Sequence, residues 1–218
     1  VVATMISSRA MSAKAALTLA AVANLIGPFL FGVAVANTIG HEVTAPESIT
    51  IYVVIAALLS ASIWNLVTWY FGIPASSSHG LIGGILGAVI VSSGFKVVKM
   101  AGLWKIIIAL FASPIVGFTV GWLVMLITKR ILKNASPKAD TGLKYGQIPT
   151  AIALALSHGT NDAQKTMGVI TMGLVVLGYQ KEFVVPYWVI LISATAIGAG
   201  TALGGWRIIQ TLGGKFYK

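Results

Sequence analysis

Long apolar stretches recur along the whole of this chain, and they leave it few ways to fold. Crossing about 30 Å of hydrocarbon takes roughly 20 apolar residues in helix. Ala15–Ala36, Ile49–Trp69, Leu103–Ile127, Tyr145–Leu177 and Pro186–Ile208 reach that length, with Pro114 inside the third and a polar interruption inside the fourth. Over the 218 residues 57% are apolar and only 9% charged, and mean hydropathy is +0.91. A soluble domain carries about 25% charged residues, so the apolar surplus cannot all be core. The chain reads as an all-α integral membrane protein, a polytopic helical bundle in contact with the lipid bilayer.

Residues 72–91 are also long enough to cross, yet they open with Gly72-Ile73-Pro74 and three serines. Glycine permits unusual backbone angles and proline blocks helix continuation, so residues 49–91 read as one helical hairpin with its tip at Gly72–Ser78. The net charge is +10, from Lys+Arg 15 against Asp+Glu 5. The basic residues fall mainly between apolar runs, where they orient a membrane protein rather than bind nucleic acid. With the N-terminus inside, Arg9, Lys14, Lys129, Arg130, Lys133, Lys138, Lys144, Arg207, Lys215 and Lys218 lie on the inner side. Lys96, Lys99, Lys105 and Lys181 lie outside, beside Glu42 and Glu47, and the lysines of the 92–105 loop pull against this orientation. The absence of cysteine excludes disulfides and thiolate metal sites. No signal peptide is visible, and Val1 opens inside an apolar stretch, so the sequence reads as one that starts within a longer chain.

A short repeat is present. Gly32-Val-Ala-Val-Ala-Asn-Thr38-Ile-Gly40 matches Gly205-Trp-Arg-Ile-Ile-Gln-Thr211-Leu-Gly213 in the pattern G-x5-T-[IL]-G. An odd number of crossings between two homologous halves would invert one relative to the other, as in many secondary transporters.

Polar groups at membrane depth are costly unless they line a cavity or find partners, so each intramembrane cluster is a candidate site. The first is Ser76-Ser77-Ser78-His79, followed by the apolar glycine-rich run Leu81–Val91. A helix starting near Ser77 would present unpaired N–H groups, its positive dipole end and three hydroxyls, which together make an anion cradle. The second is Ser157-His158-Gly159-Thr160-Asn161-Asp162-Ala163-Gln164-Lys165, in the middle of the fourth stretch. Gly159 and Asn161 tolerate broken helix geometry, and an unwound turn would aim Thr160, Asn161 and backbone carbonyls into a cavity as oxygen ligands for a hard cation. Lys165 either neutralises Asp162 as an i,i+3 pair or adds positive charge toward an anion. His79 and His158 either carry a coupling proton or act as hydrogen-bonding partners. Trp64, Trp69, Tyr70, Trp104 and Tyr187 fall near segment ends and read as interfacial belt residues. Adjacent residues on a helix do not face each other, so neither Ser78-His79 nor Ser157-His158 reads as a nucleophile and base, and no enzyme is expected. A serine-lined hairpin would also serve as the filter of an anion channel.

At these residues the chain resembles the inorganic phosphate transporter family of cation-coupled phosphate permeases. Gly159-Thr160-Asn161-Asp162 with Gln164-Lys165-Thr166-Met167-Gly168 looks like the second-half G-x-N-D motif, and Pro74-Ala75-Ser76-Ser77-Ser78-His79 like the first-half serine-histidine motif. The resemblance implies two inverted repeats, each with a re-entrant hairpin, in a multi-pass protein of the cell membrane. Residues 1–128 would be the C-terminal part of the first repeat, 129–144 a basic cytoplasmic linker, and 145–218 the N-terminal part of the second. The partner motifs, a first N-D pair and a second Ser/Thr-His hairpin, would lie before Val1 and beyond Lys218, making this the middle of a transporter. By the same resemblance Ser76, Ser77, Ser78, His79 and Lys165 would hold inorganic phosphate. Thr160, Asn161 and Asp162 would serve the coupling cation, with Asn161 and Asp162 as the sodium ligands if that ion is sodium. No cofactor is implied beyond the coupling sodium ion or proton. Sodium against proton, phosphate against sulfate or a metal-phosphate complex, and monomer against homodimer stay open.

Overall fold

A computed structural model describes residues 2–34, 36, 48–136 and 138–215. Among them the order is α1 (Ala3–Ser7), α2 (Ala13–Leu30), α3 (Ile51–Phe71), α4 (Ser77–Ser93), a 3-10 turn (Phe95–Val97), α5 (Met100–Ile131), α6 (Lys138–Val176) and α7 (Tyr187–Lys215). Among the described residues four helices are long and apolar enough to cross a membrane: Ala13–Leu30, Ile51–Phe71, Met100–Ile131 and Tyr187–Gly205. The protein is an all-α, polytopic membrane protein. All but the last residue of the fourth apolar stretch lies within α6, whose 39 residues span about 58 Å.

Local sequence sets where the helices start and stop. Ser12, Thr50 and Ser76 each turn a side-chain oxygen back to the N–H three residues on, capping α2, α3 and α4. Gly72 closes α3 at φ +67, a left-handed conformation that glycine adopts without strain. The hairpin expected at 49–91 is therefore present, with α3 and α4 as its arms and Gly72–Ser76 as its tip. Along it the backbones approach closely: a Cβ on Gly84 would lie 2.7 Å from the Ala57 carbonyl oxygen.

The first stretch, expected as one span to Ala36, stops being α2 at Leu30, with Phe31 at the cap and Gly32 at φ +70. The repeat noted at 32–40 falls largely outside the described residues. Most of 129–144 belongs to the ends of α5 and α6.

Among the described residues three clusters hold the molecule together. Alanines carry the packing of α2 on the N-terminal half of α6, through Ala16, Ala20, Ala23, Ala151 and Ala155. Small residues let helices touch in lipid, where apolar burial alone favours no partner. The hairpin lies on the C-terminal half of α6: Val53, Val54, Ala57, Leu81, Ile85 and Val89 pack with Val169 and Met172. Ala36, Ala163, Met167 and Val189 join α6 to α7. α5 stands apart, with none of its apolar span buried.

Candidate functional site

α2 and α6 run parallel and in close contact. A Cβ on Gly159 would lie 2.4 Å from Asn24 Cα, and one on Gly27 would lie 2.3 Å from the Leu156 carbonyl oxygen and 2.8 Å from Thr160 Oγ1. Gln164 Nε2 donates to the Gly32 carbonyl at 2.6 Å, which ties α6 to the end of α2. On the other side of α2, Asn24 Nδ2 donates to Thr201 Oγ1 of α7 at 2.8 Å. α6 is unbroken from Lys138 to Val176, so the unwound turn expected at Gly159 is replaced by continuous helix. Gly159 is there because α2 leaves no room for a side chain.

Since the helix is regular, successive side chains diverge by about 100°. Thr160 is buried against α2 and donates to the Leu156 carbonyl at 2.8 Å, while Asn161 is exposed. Asp162 alone of the three turns to the hairpin. Its Oδ2 accepts from Ser77 Oγ at 3.3 Å, and its Oδ1 accepts from Lys165 Nζ at 2.6 Å. Lys165 also donates to Ser78 Oγ. His158 Nε2 lies 3.5 Å from Asp162 Oδ2, one turn toward the N-terminus of α6. The ion pair is well shielded, with side chains 10% exposed for Lys165 and 20% for Asp162.

The structure thus joins the two polar clusters of the sequence. The first turn of α4, with Ser77 and Ser78, meets the Asp162–Lys165 pair of α6. N–H groups of that turn, its dipole and the Lys165 ammonium all favour an anion, and Asp162 holds the ammonium in place. Two members of the predicted set stand outside this contact. Ser76 is spent as the cap of α4, accepting from the His79 N–H at 3.4 Å. His79 is exposed and lines a groove of about 740 Å³ between the hairpin arms, with Ser60, Trp64 and Tyr52.

Asn24 and Trp69 lie outside the site residues expected from sequence, and Gln164 falls within the second cluster with no role assigned to it there. An asparagine within an apolar helix was the available signal for Asn24, which is buried, with its Oδ1 unpaired among the described residues. Trp69, read as a belt residue, donates from Nε1 to the Gly204 carbonyl of α7 at 3.2 Å, which ties the hairpin tip to the bundle. Trp69→Phe is expected to cost about 1 kcal/mol or less; a thermal melt of the purified protein would reveal a larger loss if the indole were a principal anchor.

A family model described as "Phosphate transporter family" matches residues 1–144 and 133–218. A probable low-affinity inorganic phosphate transporter of Bacillus subtilis (strain 168) is 44% identical over 221 residues, covering 100% of this chain and 66% of that protein. The chain therefore spans just under two thirds of that relative's length. The low-affinity inorganic phosphate transporter PitA of Escherichia coli (strain K12) is 36% identical over 204 residues, covering 80% of this chain and 41% of its own. A solved structure described as "The sodium-dependent phosphate transporter" shares the fold at TM-score 0.78 and 19% identity, over 96% of this chain and 71% of that one. With its helices of membrane-crossing length, its serine hairpin docked on Asp162 and a family match along its whole length, this multi-pass membrane protein belongs to the phosphate transporter family.

Proposed function

We propose that this chain forms part of a symporter that moves inorganic phosphate across the membrane with a coupling cation, sodium or proton. The observation that carries the reading is the seat of Ser77 and Ser78, at the N-terminus of α4, on the Asp162–Lys165 pair. Phosphate would take its hydrogen bonds from the two hydroxyls, the following backbone N–H groups and the Lys165 ammonium, with Ser76 and His79 at the margin. Asp162 would set the charge balance; Thr160, bonded to the Leu156 carbonyl, and Asn161, exposed, lie beside it without converging on one point. A dehydrated anion in low dielectric needs donors and counter-charge together, which is the physical reason for coupling. The names of the Bacillus and Escherichia relatives, and that of the solved sodium-dependent phosphate transporter, support phosphate as the substrate.

The hairpin reads as re-entrant. Its arms pack on the C-terminal half of α6, and its tip meets Asp162, 14 residues before the end of that helix at Val176. That is about 21 Å of helix, so the tip would sit within the bilayer rather than beyond it. Family members with inverted repeats would alternate access by rocking one repeat against the other.

The test is uptake of radiolabelled phosphate by the full-length protein in proteoliposomes. Ser78→Ala is expected to raise KM for phosphate about 10- to 150-fold, the equivalent of one hydrogen bond to a charged group. Unchanged KM in both Ser77→Ala and Ser78→Ala would remove the hairpin from the binding site.

A further inference from the structure

We propose that the ammonium of Lys165 stands where a coupling sodium ion would otherwise sit at Asp162, so that this site takes phosphate without sodium. The inference rests on the phosphate reading above and deepens it by naming the charge that the site does not import.

A sodium ion needs several oxygen ligands converging on one point. The residues offered for it, Thr160, Asn161 and Asp162, are consecutive in an unbroken helix and point three ways. Thr160 faces α2 and is bonded to the Leu156 carbonyl, and Asn161 is exposed. Only Asp162 reaches the hairpin, and both its oxygens are already engaged. Oδ1 holds Lys165 Nζ at 2.6 Å, and Oδ2 has Ser77 Oγ at 3.3 Å and His158 Nε2 at 3.5 Å. The groups facing the carboxylate therefore include a covalently attached cation at a distance close to that of a metal ligand. A sodium ion brought to the same carboxylate would meet that ammonium across a shielded contact, where like charges repel more strongly than in water.

Lys165 cannot leave with the substrate. It is 8% exposed and also donates to Ser78, in the first turn of α4. An arriving phosphate is then offered an ammonium already in place, and Lys165 shares its three N–H donors between the phosphate and Asp162. Charge supplied by the chain does not have to be drawn from a sodium gradient.

Two measurements on the full-length protein test this. In proteoliposomes, wild-type uptake of radiolabelled phosphate is expected to stay within twofold when sodium is replaced by choline. Lys165→Ala should lose most uptake in choline and recover part of it, about fivefold or more, in sodium; Lys165→Arg should keep the wild-type indifference. Independently of transport, sodium against choline should raise the melting temperature of Lys165→Ala by about 3 °C and leave the wild type unmoved. Wild-type uptake that falls tenfold or more in choline, or sodium stabilisation of the wild type that disappears in Asp162→Asn, would overturn the proposal. Absence of phosphate uptake by the wild type in either salt defeats the substrate reading instead, and the melting experiment still decides the cation.

Discussion

In the full-length protein, Asp162→Asn is expected to lower phosphate uptake by about a hundredfold or more. The neutral amide keeps the size of the side chain and removes the charge that holds Lys165 Nζ at 2.6 Å. Lys165 is then a buried cation with no partner of opposite charge, and breaking such a pair from one side costs about 3–5 kcal/mol. A hundredfold change in rate corresponds to only about 2.7 kcal/mol, less than the stranded charge costs, so a loss of that size or greater is expected. The same substitution weakens the anchor of the hairpin tip, because Asp162 Oδ2 accepts from Ser77 Oγ. A second variant separates stability from transport. Asp162→Asn combined with Lys165→Met removes both charges and leaves neither stranded. It should melt close to the wild type yet remain inactive, because the anion has lost its ammonium. Return of both stability and uptake in the double variant would show that the pair is only a structural strut.

Much of this site was legible because the bilayer makes polar residues conspicuous. The serine run and Asp162 stood out against apolar surroundings, and so did the hairpin, since Gly72 and Pro74 interrupt an otherwise crossing-length pair of helices. That the two clusters meet was implied only through the family resemblance, because no spacing rule relates residue 77 to residue 162. The reading of Gly159 as a break illustrates a different limit. A glycine serves a sharp turn and a close helix contact equally well, and only the neighbour distinguishes them. Here that neighbour is the backbone of Asn24, 135 residues earlier in the sequence. Trp69, read as an interfacial belt residue from its place near a segment end, also donates to the Gly204 carbonyl of α7, a long-range bond that no spacing in the sequence announces. The i,i+3 alternative for Lys165 and Asp162 is realised as an ion pair, and the lysine's further bond to Ser78 is what brings it to the hairpin.

Gly159→Ala is expected to destabilise the protein by about 3 kcal/mol, near the upper end for overpacking a tight interface. The added methyl would lie 2.4 Å from Asn24 Cα, 2.5 Å from its carbonyl oxygen and 2.8 Å from its carbonyl carbon. All three are backbone atoms, so no side chain can rotate away and α2 must retreat as a body. Retreat also strains the contacts on either side, Gly27 against Leu156 and Gln164 to the Gly32 carbonyl. The approach is this close partly because Pro28 lies within α2, four residues after Asn24. Proline has no N–H to give the Asn24 carbonyl, so that oxygen lacks its usual helical donor and lies against Gly159 instead. For a protein of this size each kcal/mol moves the melting point by about 2–4 °C, which places the variant about 6–12 °C below the wild type. Gly146→Ala is the matched control on the same helix, since nothing lies within 4 Å of its added methyl, and it should melt at or slightly above the wild type. Equal melting points for the two variants would mean that α2 and α6 are not in backbone contact at Gly159, and Asp162, one turn further along, would lose the packing that aims it at the hairpin.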